Sequence, residues 1–127
     1  MSITAIGRKG EILAREILHK TFKSDNIFQA DWIAMKDNKY YVVEVKHKEM
    51  FQPPPFMGQG LDIRQVKARM QFYKDTTIRC LFLVIDKDTR DVYWQWLDVL
   101  ENGEYHDTKN GIRIYNIMGF KKSRRLT

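Results

Sequence analysis

One stretch of seven residues, Tyr40-Tyr41-Val42-Val43-Glu44-Val45-Lys46, constrains this chain more than any other. A run of this apolar, β-branched character is a strand covered on both faces. Yet it closes on a carboxylate and an ammonium two positions apart. Side chains alternate along a strand, so Glu44 and Lys46 share one face while Val43 and Val45 share the other. Taking such charges out of water costs several kcal/mol per ion unless something compensates. A strand keeps them where a metal or a reacting phosphate makes use of them. A second acid in an apolar strand, Asp31, lies thirteen positions upstream in Ala30-Asp31-Trp32-Ile33-Ala34-Met35. Asp31, Glu44 and Lys46 are therefore candidates for a metal-dependent phosphodiesterase site.

The 127 residues fit one domain, expected over 1–120 with a mobile basic tail over 121–127. Hydrophobic residues make up 43% and charged residues 30%, enough for a real core without disulfides. The single cysteine, Cys80, adjoins Leu81-Phe82-Leu83-Val84-Ile85 and reads as a small core residue. One cysteine excludes an intramolecular disulfide and a thiolate zinc cluster, which fits a reducing cytoplasm. Nothing at the N-terminus resembles a secretory leader, and no apolar stretch is long enough to span a bilayer. The expectation is a cytoplasmic protein with no membrane partner. A net charge of +6 favours a polyanionic partner, nucleic acid first.

The periodicity predicts a helix over 4–21, with Ile6, Leu13 and Ile17 on one side and Gly10 just before Glu11. Two antiparallel strands follow at 27–35 and 39–46, joined by the turn formers Lys36-Asp37-Asn38. Three prolines make 51–60 a loop. A second helix is expected over 61–75, a central strand over 79–86, and further strands over 91–99 and 112–118. The order predicts one mixed sheet with helices packed on it, in the α/β class, with a right-handed crossover through the second helix.

A phosphodiester resists hydrolysis because water is a poor nucleophile and the attacked group is already anionic; divalent metals relieve both problems. Mg²⁺ takes oxygen ligands and keeps several waters, so one or two carboxylates hold it. Asp31 and Glu44 on neighbouring strands provide them, with the Val45 carbonyl as a further oxygen. Lys46, on the same face, can hold the attacking water or a phosphate oxygen.

Asp31 followed by Glu44-Val45-Lys46 resembles the core motif of the PD-(D/E)xK nuclease superfamily. The wider layout is similar: Glu11 in Gly7-Arg8-Lys9-Gly10-Glu11 on the first helix, the motif hairpin, then Gln65 on a helix leading to the strand Leu81–Ile85. The arrangement, over residues 5–86, looks like archaeal-type Holliday-junction resolvases and related phage nucleases. The resemblance implies a restriction-endonuclease-like core, a mixed central sheet flanked by helices. It implies Asp31 and Glu44 as metal ligands, Lys46 as catalytic lysine, Glu11 as a further ligand directly or through water, and Gln65 as an orienting group. It implies Mg²⁺, with Mn²⁺ as substitute, no small-molecule cofactor, and branched or duplex DNA as substrate in recombination or repair. A four-way junction would call for a homodimer, since two symmetric cuts need two sites in fixed relation. Ala30 stands where the motif often has Pro, and the Pro-rich loop is longer and more aromatic than in a resolvase. An end- or flap-specific nuclease and a non-catalytic DNA-binding module on the same fold are the alternatives.

Arg8, Lys9, Lys48, Arg64, Lys67 and Arg69 flank the site in sequence and are candidate phosphate contacts. Each also fits an ordinary surface charge. His47 and His19 lack ligand spacing to each other; His47 adjoins the motif, within reach of a phosphate, and His106, in a loop-like segment, is assigned no role. Trp94 and Trp96 share a strand face, as core or as a dimer interface. Phe51, Phe56 and Met57 suit either a stiff wedge against bases or packing of the loop on its own domain.

Overall fold

A computed structural model describes the backbone of residues 3–21, 23 and 30–123, with side chains from Ile12 onward. Helix α1 (Ile3–Lys20) comes first. Strands β1 (Trp32–Lys36) and β2 (Lys39–Lys48) form the hairpin. Strand β3 (Gly58–Asp62) runs directly into helix α2 (Ile63–Thr76). Strands β4 (Arg79–Asp86) and β5 (Val92–Trp96), helix α3 (Leu97–Glu101), and strands β6 (Tyr105–Asp107), β7 (Ile112–Asn116) and β8 (Lys121–Ser123) complete the order.

Among the described residues the strands make two sheets rather than the single one expected. Five lie in the order β1-β2-β4-β5-β8 and three in the order β3-β7-β6. In the larger sheet β2 and β4 are parallel and every other pair is antiparallel, giving the mixed α/β architecture. Strand β4 occupies the centre, as its apolar run requires. Its alternation is complete: Cys80, Phe82, Val84 and Asp86 are buried, and the residues between them are half-buried. Val42 and Glu44 of β2 are buried and stand beside Cys80 and Phe82. Leu61 and Val66 close over this face, and Phe82 meets the rings of Tyr115 and Phe120 edge-on at 6.4 and 5.9 Å. The opposite face carries a broad groove lined by Tyr41, Leu81, Leu83, Trp94 and Trp96. Tyr41 meets Trp96 edge-on at 5.4 Å, and the Arg79 guanidinium lies 4.3 Å above the indole. Neither tryptophan belongs to the buried core.

Several boundaries differ from expectation, each for a local reason. The loop after Phe51 ends at Gly58, where β3 begins, because Gly58 and Phe51 exchange backbone hydrogen bonds of 3.0 and 3.1 Å. Leu61 is therefore a buried strand residue, not the start of α2. The helix begins after Asp62, whose carboxylate accepts from the Arg64 N–H at 2.8 Å. Residues 97–99 are helical rather than extended, because Leu97 and Leu100 turn inward together. Lys121–Ser123, expected as a mobile tail, pairs with β5 as an edge strand; the rest of the tail lies outside the described residues. Among the described residues no helix is long and apolar enough to cross a membrane.

The three-stranded sheet depends on close backbone approach. A Cβ at Gly58 would press into the Tyr115 carbonyl, which as ladder backbone cannot yield. Gly58→Ala is expected to cost roughly 1–3 kcal/mol or more in urea unfolding. Cys80 is 2% exposed, and burial pushes its thiol up to about 12. It is expected to stay unmodified by a thiol-reactive disulfide reagent in the native protein and to react fully once urea unfolds it.

Candidate active site

The site begins with a two-residue turn. Asp37 and Asn38 have φ of 52° and 63°, the left-handed pair of a type I′ hairpin. Such a turn fixes the register: Lys36 faces Lys39 and Trp32 faces Val43. One step further, Asp31 comes opposite Glu44. Glu44 on β2 and Asp31 at the entry to β1 thus share one face, the arrangement in which cross-strand side chains meet. Asp31 lies just before the first residue of β1, and its carboxylate continues the ladder. Its Oδ2 accepts from the Val45 N–H at 3.0 Å.

Glu44 is 1% exposed and points under α2. There Arg69 Nη2 donates to its Oε1 at 3.1 Å, and the two side chains are 8% and 2% exposed. Burial pushes the Glu44 carboxyl up, and its hydrogen bond with Asp31 adds to that, while Arg69 opposes. Burial acts in the same sense on Asp31 but is outweighed. The hydrogen bonds from Glu44 and from the Val45 N–H, with the charges of Lys46 and Arg69, hold Asp31 below the usual carboxylate range. The two carboxyls are thus shifted in opposite directions, as expected of a coupled pair of acids.

Two carboxylates this close form a site where a divalent cation can offset their mutual repulsion. The donors are hard oxygens, suited to Mg²⁺ or Mn²⁺. Among the described residues no group of three or more His, Cys, Asp or Glu could hold a metal. The set fits a metal that keeps most of its waters, not one enclosed by protein.

The remaining sequence candidates divide. Lys46 is half-buried on the Glu44 face, close enough for its charge to act on Asp31. Gln65 is half-buried on α2, one turn before Arg69 and on the same side of the helix. Arg64 and Lys67 are exposed, Arg64 with its Nε 3.4 Å from Asp62 Oδ1. Arg69 is not a surface contact, as expected from its charge, but a buried partner of Glu44. Lys48 is also drawn inward: its Nζ donates to the Gly60 carbonyl at 3.1 Å and lies 5.1 Å from the Phe51 ring centre. That ties β2 to β3 and fastens the stem of the Pro-rich loop. Positions 8, 9 and 11 belong to the backbone of α1, but the side chains of Arg8, Lys9 and Glu11 lie outside the described residues.

The role of Arg69 was open to sequence reasoning. It sits three after Val66 and one before Met70, on the apolar side of α2. A lone cation in that stripe points to a buried acid. Gln59 carried no such signal. It is fully buried in β3, its Nε2 donating to the Glu49 carbonyl at 3.3 Å and its Oε1 without a partner among the described residues.

An α/β sheet thus presents, at one strand end, a coupled pair of acids with a lysine beside them. Comparison with solved structures leads to Hjc of Archaeoglobus fulgidus, a Holliday junction resolvase from an archaeal hyperthermophile. The match covers 88% of this chain and 87% of that one, with a TM-score of 0.46 and 13% identity. No family model and no curated protein matches the chain. What the chain can do must come from its own residues.

Proposed function

We propose that this chain is a metal-dependent nuclease that hydrolyses DNA phosphodiesters. The observation that carries this reading is the placement of Asp31 opposite Glu44, with Asp31 Oδ2 on the Val45 N–H and Lys46 on the same face. Asp31, Glu44 and the Val45 carbonyl would hold Mg²⁺, which would supply Lewis acidity beside the scissile phosphate. Lys46 orients the attacking water or a phosphate oxygen and offsets negative charge as it grows. Asp31, kept ionised, remains a ligand rather than a proton donor. Arg64 and Lys67 bind flanking phosphates, and Gln65 supports the geometry from α2. The positive charge of the chain supports DNA as partner, and branched DNA cut by a homodimer is the finer form of the proposal.

A non-catalytic DNA-binding module is the second reading, favoured by one observation: Glu44 already has a counter-ion in Arg69. One experiment separates the two. Labelled four-way junction, splayed-arm, duplex and single-stranded DNA are incubated with Mg²⁺, Mn²⁺ or EDTA and with wild type or Asp31→Asn. Cleavage that requires metal and vanishes in the variant is expected, and the preferred DNA names the substrate. Tight binding without cleavage in either metal leaves the module.

A further inference from the structure

We infer that Arg69 is a resident counter-ion of the candidate metal site, a positioning residue that occupies Glu44 in the free protein and keeps divalent metal weakly bound. The inference rests on the metal-dependent reading above and concerns what sets the affinity of that site.

The geometry is specific. Arg69 Nη2 stands 3.1 Å from Glu44 Oε1, and both side chains are almost wholly buried. Arg69 is anchored on the inner side of α2, beside Val66. Its guanidinium therefore cannot leave Glu44 for solvent as a surface arginine could. Stability alone does not account for the pair. A buried ion pair usually does no better than apolar residues of similar volume. This one is also imperfect, since Arg69 Nε is buried with no hydrogen-bond partner among the described residues. A donor left unsatisfied in the interior costs free energy. The cation is held at Glu44 despite that cost.

Its consequence is a charge balance. Among the described residues, with both acids ionised, Asp31 and Glu44 contribute two negative charges, and Lys46 and Arg69 contribute two positive ones. These four charges together offer a divalent ion approaching the free site no net attraction. One of its two carboxylate ligands is already engaged by a permanent cation, because arginine does not deprotonate in proteins. Removing the Arg69 charge while leaving Asp31, Glu44 and Lys46 in place should convert a weak metal site into a stronger one. A merely structural arginine would do the opposite: its loss would loosen Glu44 and weaken metal binding.

The test is Mn²⁺ titration of the DNA-free protein, followed by the electron paramagnetic resonance of the free ion. Wild type, Arg69→Gln, Arg69→Met and Arg69→Lys are compared, with melting curves to establish folding. Arg69→Gln retains a donor for Glu44 and serves if Arg69→Met does not fold. The neutral variants are expected to bind Mn²⁺ at least about tenfold more tightly than wild type. Arg69→Lys, which keeps the charge, is expected to stay near wild type. Adding Asp31→Asn to Arg69→Gln should remove the tight site, placing the ion between the two acids. Affinity that is unchanged or weaker in the neutral variants overturns the inference. So does equal tightening by Arg69→Lys, or tight binding that survives Asp31→Asn. If no protein in the set binds Mn²⁺ at millimolar concentration, the metal-dependent reading itself falls. That outcome is distinct from a site that binds metal without regard to Arg69.

Discussion

Lys46→Ala is expected to lower metal-dependent DNA cleavage by roughly 10²–10⁴-fold while leaving DNA binding and the melting temperature nearly unchanged. The asymmetry follows from placement. Lys46 is half-buried at the end of the β2 run and faces Asp31, with no part in the hydrophobic core. Its removal takes away a positive charge where negative charge grows during hydrolysis, and little packing. Single-turnover cleavage at saturating enzyme, beside a binding titration in Ca²⁺, measures the split. A variant that cuts at the wild-type rate would mean that Lys46 is only a surface cation. A variant that fails to bind DNA would move its role from chemistry to affinity.

The second large effect is on stability. Glu44→Leu is expected to cost about 3–5 kcal/mol in urea unfolding, because it leaves the Arg69 guanidinium buried without its acid. Adding Arg69→Met should return most of that loss, since two apolar side chains can fill the space of the pair. The double-mutant cycle then gives a coupling well above the few tenths of a kcal/mol expected for independent sites. If the two single losses simply add, the 3.1 Å contact has no energetic meaning. Both Glu44 variants should lack cleavage, so the rescued protein would be a stably folded, inactive control.

Much of this site was legible from the chain alone, and the physical reason is locality. Asp31, Glu44 and Lys46 lie on one hairpin whose register is set by a two-residue turn, so period-2 alternation sufficed to place them on one face. The central β4 was legible for the same reason, an unbroken apolar run bounded by turn residues. The parts that escaped depend on pairings distant in sequence. Strand β3 exists because Gly58 and Gly60 let β7 come close, across more than fifty residues, and a Gly-Gln-Gly-Leu-Asp string carries little strand propensity of its own. Strand β6, with three exposed residues, is held by pairing with β7 and by the Asp107–Arg113 ion pair. The basic segment after Phe120 reads as solvated tail until β5 offers it an edge. Lys48 and Arg69 were misplaced because charge suggests surface, whereas each has a specific acceptor inside.

The turn at Asp37-Asn38 also imposes a rule of parity on this hairpin. With two residues at the tip, residues facing each other across the strands are always an odd number of positions apart, and the thirteen steps from Asp31 to Glu44 satisfy that condition. A relative could lengthen the arm by one residue in each strand and keep its acids face to face. A single inserted or deleted residue in either strand would instead carry one acid to the far side of the sheet, unless a bulge absorbed it. Surface hairpins ordinarily tolerate such changes, but here the count of residues between two carboxylates decides whether they meet. The gap length is therefore as much a part of the motif as the acids that bound it.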